Sequence, residues 1–403
     1  MGALMKTSRK TGGRLRLGLA CALALALSAC SPSGDRRLGA PAPRASAGAI
    51  ETAPLPAAGD LSRFGTGPLK IALIAPITGP AGANAIGASM RNAAELAMSA
   101  FDSPAATLIV KDDRSSPAGA KAAAQAAIAE GAQLILGPLF SANVREAGAA
   151  ARAAGKPMIA FSTDPALAGN GVYLLSFLTR SYVDRIVDFA AARGKRSMAA
   201  LVPDSDYGRI AEAAFIAAAA RNNVRVAAVE RRSAGAPADA AAQRIANLGA
   251  GIDALFIPDQ AEAMAEVGQA LARAGIDAAK VQILGTGLWN DARVLKIRAL
   301  QGAWFAAPDS AGFMAFAASH RERFGVEPAR VATLAYDAVA LSLALANQPG
   351  EGFTARALEG VAGFNGTDGL FRFRPDGLNE RGLTVQMIDQ GATTLISPAP
   401  KTF

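Results

Sequence analysis

Short apolar runs alternate with alanine-rich amphipathic stretches along most of this chain, and this alternation limits the folds that it can adopt. From residue 70 onward, runs such as Lys70-Ile71-Ala72-Leu73-Ile74-Ala75 are followed by stretches with apolar residues at helical spacing. This rhythm is typical of βαβ units built around parallel sheets. We expect two series of such units, the second starting near Thr179, and then helices and a terminal hairpin.

The length of the chain indicates more than one lobe. A chain of 403 residues, 51% of them hydrophobic, is too long for one ordinary core. We predict an α/β fold of two Rossmann-like, doubly wound lobes joined by multiple crossovers. Lobe 1 takes residues 68–177 and 307–366, lobe 2 takes residues 178–306, and residues 367–403 form a C-terminal hairpin that returns to lobe 2. In that hairpin, residues 369–374 pair with residues 383–388 around Pro375-Asp376-Gly377.

Residues 1–29 have the pattern of an export signal. Five basic residues precede an apolar run, Leu17 to Leu27, that is too short to span a bilayer. The run ends in Leu27-Ser28-Ala29-Cys30, which resembles the lipobox of bacterial lipoproteins and implies that Cys30 is acylated. The alternative is an ordinary secretory signal cut near Ala29. Residues 30–67 are rich in Pro, Ala, Gly and Ser, which predicts a flexible tether.

Removal of the signal changes the charge of the chain. The formal net charge is +8, but residues 1–29 hold five of the 41 basic residues and none of the 33 acidic ones. The mature chain therefore has 36 basic and 33 acidic residues, a net charge of +3. No basic run with interleaved aromatic residues is present, so we predict no nucleic-acid partner. Cys21 leaves with the signal and Cys30 is acylated, so we expect no disulfide in the folded part.

Polar side chains follow several of the predicted strands. Ligands of open parallel sheets bind outside the carboxyl ends of the strands. The candidate ligand-binding residues at these ends are Ser141, Ser162, Thr163, Asp164, Tyr207, Thr286 and Trp289. Together they suit a small polar ligand in a cleft between lobes. Each also has a structural interpretation: Ser141 and Thr163 as helix caps, Tyr207 and Trp289 as half-buried aromatic residues at the rim.

The parts needed for common enzyme chemistry are missing. His320 is the only histidine, and its charged neighbours predict a solvated position on an amphipathic helix. One histidine and no free thiol exclude Ser-His, Cys-His and typical zinc sites. Gly285-Thr286-Gly287 lacks the third glycine of a dinucleotide-binding loop. Asp112-Asp113 are turn residues or an acid pair, but adjacent side chains on an extended chain point to opposite sides. We predict no catalytic residue, metal or cofactor.

Three segments resemble the leucine-binding type of periplasmic binding proteins. They are Leu136-Gly137-Pro138-Leu139-Phe140-Ser141, the run from Pro157 to Pro165, and Asp206-Tyr207-Gly208, and the likeness covers about Leu69 to Ile388. The resemblance implies two lobes that close on a small-molecule ligand for an ABC permease. It also implies that the ligand is held at Ser141, Ser162, Thr163 and Tyr207.

One departure from that family concerns the ligand. Its amino-acid binders place an acidic residue after the strand that here reads from Ile283 to Trp289, where it pairs with the ligand's ammonium group. This sequence has no acid there before Asp291. A buried ammonium without a counter-charge is poorly compensated. Asp164, Asp206 and Asp259 are candidate substitutes.

A related branch offers the alternative function. The lipobox, the tether and the loop from Gly285 to Trp289 look similar to lipoprotein activators of penicillin-binding proteins, which stimulate peptidoglycan synthesis. Ser31 after the acylated cysteine favours the outer membrane if the organism is Gram-negative. The resemblance as a whole still favours solute capture. We predict a periplasmic, membrane-anchored lipoprotein that captures an amino-acid-like solute for an ABC transporter. The alternative is an outer-membrane activator of a penicillin-binding protein.

Overall fold

The computed structural model describes residues 63–403 apart from 102–104, 234, 277 and 349–351. The predicted signal peptide, Cys30 and residues 30–62 of the predicted tether lie outside the described residues. The predicted tether extends too far, because Arg63 and Phe64 pair with Ile109 and Leu108 of the first sheet. Phe64 packs on the lobe core and lies 5.6 Å from the Arg91 guanidinium, which fixes this segment to the domain.

The first lobe is built on a six-stranded sheet of order β1-β3-β2-β4-β5-β6. Only β1 runs antiparallel to its neighbour. Its strands are β1 (Arg63–Phe64), β2 (Leu69–Ala75), β3 (Ala106–Asp112), β4 (Leu134–Leu136), β5 (Met158–Ala160) and β6 (Val172–Leu174). The helices between them are α1 (Ala81–Phe101), α2 (Pro117–Ala129) and α3 (Ser141–Ala153).

The second lobe is built on a seven-stranded sheet. Its parallel part comprises β7 (Ser197–Pro203), β8 (Arg225–Arg232), β9 (Ala254–Phe256), β10 (Gln282–Gly285) and β11 (Trp304–Ala307). Its helices are α4 (Thr179–Ala192), α5 (Asp206–Arg221), α6 (Asp239–Ala246), α7 (Ala261–Arg273) and the short α8 (Ala292–Leu295). The chain then returns to the first lobe through α9 (Ser310–Phe324), α10 (Ala332–Ala346) and α11 (Ala355–Leu358).

The last strands are divided between the lobes. β12 (Phe364–Gly366), β13 (Gly369–Phe373) and β14 (Asn379–Arg381) form a small antiparallel sheet. β15 (Thr384–Asp389) and β16 (Ala392–Ser397) complete the second sheet, whose order is β16-β15-β11-β10-β9-β7-β8. The predicted fold of two doubly wound α/β lobes is confirmed, and the chain crosses between them after β6, after β11 and after β14.

The predicted pairing of the terminal hairpin is wrong. β13 pairs with β14, and β15 pairs with β11 and β16. Phe371 and Phe373 bury their rings in the core of the first lobe, where Phe373 lies 5.3 Å from Tyr173. This burial keeps residues up to Arg381 with the first lobe, beyond the boundary predicted at 367. β16 was not predicted, because it is a largely exposed edge strand and lacks a buried apolar pattern.

Local sequence signals set the helix ends. The Ser116 hydroxyl accepts a hydrogen bond from the Gly119 amide at 3.1 Å, and Pro117 occupies the first turn of α2. Ser205 caps α5 in the same way, accepting from the Gly208 amide at 3.1 Å, so this helix begins at Asp206. In the part of the chain that the structure describes, no helix combines the length and apolarity needed to cross a membrane.

Two hydrogen bonds join the first and third crossings. The carbonyl oxygen of Ser176 accepts from Arg381 Nε at 3.2 Å and from Asn379 Nδ2 at 3.0 Å. Ser176 follows β6, where the chain first leaves the first lobe, and Arg381 ends β14, where it leaves for the last time. The two connections therefore form one linked unit beside the space between the lobes.

Candidate functional site

A cavity of about 470 Å³ lies where elements of both lobes meet. The first lobe contributes the end of β5 and residues before α10, and the second contributes α4, the start of α5 and the loop after β10. Two crossings complete the lining. The lining residues are Thr163, Phe177, Thr179, Tyr182, Tyr207, Gly287, Leu288, Asn290, Ala307, Pro308, Ser310, Phe313 and Arg330. A cavity of this size accepts a small organic molecule.

Two serines predicted as ligand contacts bond to each other on the first-lobe side. Ser141 Oγ lies 2.8 Å from Ser162 Oγ, and Ser162 Oγ also accepts from the Asp164 amide at 3.1 Å. Ser162 is buried, whereas Thr163 is exposed and lines the cavity. Ser141 lies in the first turn of α3, and Phe140 occupies the cap position without a side-chain bond. The Ser141 hydroxyl therefore ties α3 to the end of β5 instead of capping the helix.

Asp164 has a local structural role. Its carboxylate accepts a hydrogen bond from the Ala166 amide at 3.1 Å and caps the short 3-10 helix Pro165–Leu167. Asp164 is adjacent to Thr163 in sequence but is not among the residues that line the cavity. The structure thus brings Ser141, Ser162 and Thr163 together and turns the Asp164 carboxylate to its own backbone.

On the second-lobe side, Tyr207 and Thr286 meet. Their hydroxyl oxygens lie 3.3 Å apart, and Tyr207 lines the cavity while Thr286 is fully buried behind it. Burial raises the pKa of the Tyr207 phenol to about 12, so the hydroxyl stays protonated at neutral pH and can donate a hydrogen bond. The next residue is Gly208, and no larger residue fits at this position because an added Cβ would collide with the Pro203 carbonyl oxygen.

Trp289 lies in the core of the second lobe and not on the cavity wall. Its side chain is fully buried, and the indole packs against Gly285, where an added Cβ would collide with it. Gly287, Leu288 and Asn290 occupy the cavity positions of this loop. The glycines of the loop thus make room for two rings, the Trp289 indole at Gly285 and the Tyr182 ring at Gly287.

Four aromatic or charged residues of the cavity lining were not predicted from the sequence. Phe177 lies on the first crossing, Tyr182 on α4, Phe313 on α9 and Arg330 just before α10. The Arg330 guanidinium lies 4.6 Å from the Phe177 ring centroid and 4.5 Å from that of Phe313. It also forms an ion pair with the fully buried Asp368. Tyr182, Phe313 and Arg330 do not lie at the end of a parallel strand, so the rule that ligands bind at strand ends does not point to them.

The candidate substitutes for the missing acid do not reach the cavity lining. Asp206 pairs with Arg209 on the surface, and Asp259 is buried in an ion pair with Arg232, 2.6 Å between Nη2 and Oδ2. Asp113, from the pair after β3, is also buried and accepts from Asn143 Nδ2 at 2.8 Å. Burial raises the pKa of Asp113. These carboxylates hold the lobes' own loops together.

The predicted solvated position of His320 is wrong. The ring is fully buried, lies between Phe316 and Phe324, and bonds through Nδ1 to the Val326 carbonyl at 2.9 Å. Burial lowers the pKa of His320, which keeps the ring neutral. The charged residues next to His320 in the sequence led to the wrong prediction, whereas Phe316 and Phe324 place it on the apolar face of the helix. Within the described ranges, no cluster of three metal-ligating side chains occurs.

The sequence profile described as periplasmic binding protein matches residues 68–393. The chain belongs to the periplasmic binding protein family. This confirms the resemblance found in the sequence, at the level of the family. No curated protein matches this periplasmic binding protein significantly.

Solved structures agree on the fold of this periplasmic binding protein. A protein of Rhodospirillum rubrum, described as a branched-chain amino acid ABC transporter, has a TM-score of 0.74 at 20% identity, covering 81% of this chain and 99% of its own. A substrate-binding protein of Desulfitobacterium hafniense in complex with Leu has a TM-score of 0.60 at 19% identity, covering 81% and 99%. A solute binding protein of Rhodopseudomonas palustris in complex with 3,4-dihydroxy benzoic acid has a TM-score of 0.55 at 22% identity, covering 82% and 98%.

Proposed function

We propose that this protein is a substrate-binding protein that captures a small polar, amino-acid-sized solute between its lobes and presents it to an ABC permease. The observation that carries this proposal is the cavity of about 470 Å³, whose lining comes from both lobes and from two crossings. A solute in it contacts Thr163 on one lobe and Tyr207 on the other. Such a solute stabilises the arrangement in which the lobes are close together.

The hydroxyl groups around the cavity supply the polar contacts. Tyr207 is held by its contact with Thr286, and the loop that carries Thr163 is held by the bond between Ser141 and Ser162. Ordered donors of this kind bind a ligand with little further loss of side-chain freedom. The ligands named for the related structures, leucine in one and a hydroxylated benzoic acid in another, are of the size that this proposal requires.

The proposal includes a lipid anchor at Cys30. The lipobox-like Leu27-Ser28-Ala29-Cys30 and the Pro- and Ala-rich segment after it support an anchor that leaves the binding domain in the periplasm. Ser31 favours the outer membrane in a Gram-negative cell. An outer-membrane position suits the second candidate function, activation of a penicillin-binding protein, whose sequence support is the loop from Gly285 to Trp289.

A thermal-shift screen beside a pull-down separates the two functions. The full chain is screened with amino acids, amides, organic acids and peptidoglycan fragments, because a ligand that binds only the folded state raises Tm by mass action. Stabilisation by a free solute, with no retained penicillin-binding protein, is the expected result. A specific penicillin-binding protein partner with no response to any solute would replace transport with activation.

A further inference from the structure

The cavity lining contains one charged side chain, Arg330, and no carboxylate. Three buried carboxylates of the two lobes have partners of their own. Asp368 is fully buried and pairs with Arg330, and Asp259 is buried against Arg232. Asp337 is buried and accepts from the Thr367 amide at 2.7 Å. A ligand ammonium would lose its water here without gaining a counter-charge.

Arg330 lines the cavity, and one edge of its guanidinium has no partner among the described residues. Its Nη1 donates to Thr333 Oγ1 at 3.1 Å and to Asp368 Oδ2 at 3.0 Å, and its Nη2 donates to Asp368 Oδ1. Among the described residues, none accepts from its Nε. The pair formed by Nε–H and the second hydrogen of Nη2 is the side-on fork of a guanidinium, which matches the two oxygens of a carboxylate.

Aromatic side chains hold that fork in place and form much of the cavity wall. Phe177 and Phe313 lie within 4.6 Å of the guanidinium, measured to their ring centroids, which limits its rotation. Tyr182 and Tyr207 add two further rings, and Leu288 and Pro308 extend the apolar surface. A flat ring packs against such walls with more contact than a flexible polar chain would.

We infer that the solute is an aromatic carboxylate without an ammonium group and that the Nε–Nη2 edge of Arg330 binds its carboxylate. The inference rests on the proposed function, since it names the substrate class of the same cavity. The ring lies against the tyrosines of the second lobe, while the carboxylate reaches Arg330 of the first lobe. One ligand thus touches both lobes through different chemistry.

Ligands with one skeleton test the substrate class. Isothermal titration of the full chain uses 3-phenylpropanoate, L-phenylalanine, 2-phenylethylamine and 3-cyclohexylpropanoate. We expect 3-phenylpropanoate to bind at least tenfold more tightly than each of the others. If L-phenylalanine binds as tightly as 3-phenylpropanoate or more tightly, the inference that the solute lacks an ammonium group is wrong. Equal binding of 3-cyclohexylpropanoate would overturn the aromatic part.

Variants of Arg330 test its role. Arg330→Lys keeps a cation beside Asp368 but removes the planar fork, so we expect at least a tenfold loss of 3-phenylpropanoate affinity with little change in Tm. Arg330→Gln combined with Asp368→Asn removes both charges without leaving a buried carboxylate unpaired, and we expect the same loss. The exposed Arg209→Gln serves as the control with unchanged affinity. Wild-type affinity in both Arg330 variants would overturn the assignment.

The solute screen distinguishes failure of this inference from failure of the proposed function. If the chain binds an amino acid or an aliphatic acid but none of the aromatic acids, the substrate class is wrong and capture of a solute stands. If no solute of any class binds, both proposals fall together.

Discussion

The hydroxyl oxygens of Ser141 and Ser162 lie 2.8 Å apart and join the first turn of α3 to the segment after β5. Both residues follow strands of the first sheet, and the loop that they fix carries Thr163 to the cavity. The predicted group of strand-end hydroxyls therefore has two layers. Thr163 faces the cavity, and the serine pair behind it determines where Thr163 lies.

Ser162→Ala should reduce stability more than it reduces binding. The change removes the partner of the Ser141 hydroxyl and of the Asp164 amide in a buried position. We expect a loss of about 1–2 kcal/mol in the free energy of unfolding, measured by urea denaturation. Its matched control is Thr163→Val, which should change stability by less than about 0.5 kcal/mol and weaken the ligand. Equal effects of both variants on stability would contradict the separate roles of Ser162 behind the loop and Thr163 at the cavity.

The loop after β10 provides a second matched pair. Trp289→Ala empties a fully buried site against Gly285 and should cost about 3–5 kcal/mol of unfolding free energy. Leu288→Ala, one residue earlier on the cavity wall, should weaken ligand binding with a smaller loss of stability. Comparison of denaturation midpoints with titrated affinities checks both. A Trp289→Ala variant of normal stability and reduced affinity would show that the indole contacts the ligand instead of packing in the core.

Asp337 should make stability depend on pH. Burial raises the pKa of this carboxyl to about 6, although the Arg381 guanidinium opposes the rise. Below about pH 4 the carboxyl is protonated in both folded and unfolded states, and its contribution is then fully present. Between about pH 4 and pH 6 the unfolded state ionises first, so stability falls by on the order of 2–3 kcal/mol and then levels off.

Asp337→Asn removes this titration. The unfolding free energy of the wild type minus that of the variant should therefore fall as pH rises from 4 to 7, whatever the constant cost of the substitution. Chemical denaturation at pH 4, 5, 6 and 7 measures the difference. A difference that is flat, or that rises with pH, would show that the folded state does not raise the pKa of Asp337.

Cys30→Ala tests the anchor. If Cys30 is acylated, the variant should move from the membrane fraction to the soluble periplasmic fraction of its host, because the lipid is the attachment. Fractionation and immunoblotting of wild type and variant measure the shift, with Cys21→Ala as the control inside the signal segment. Unchanged membrane association of the Cys30 variant would contradict lipidation.

Periodicity and strand order predicted the two lobes well, because buried parallel strands and alanine-rich helices leave clear local patterns. They predicted the last strands poorly. Residues 369–374 and 383–388 both show strand patterns, but which partner each takes depends on Phe371 and Phe373 packing in the first lobe. Such a choice is made by distant contacts and leaves no local signal.

The candidate site was predicted in the same uneven way. Thr163 and Tyr207 follow strands, so the rule that ligands lie at carboxyl ends of strands placed them at the cavity. Trp289 obeys the same rule, but the small residue Gly285 lets its ring fold back into the core. The rule does not predict Arg330, because this residue follows no strand and reaches the cavity only after the chain has crossed back to the first lobe.

Native mass spectrometry of the full chain purified from its own host tests whether a solute occupies the cavity between the lobes. We expect that the folded protein carries one small molecule per chain, that unfolding releases it, and that its mass and fragments identify an aromatic carboxylate. A bare chain that also binds nothing when incubated with its host's small-molecule extract would contradict capture of a solute in the inter-lobe cavity.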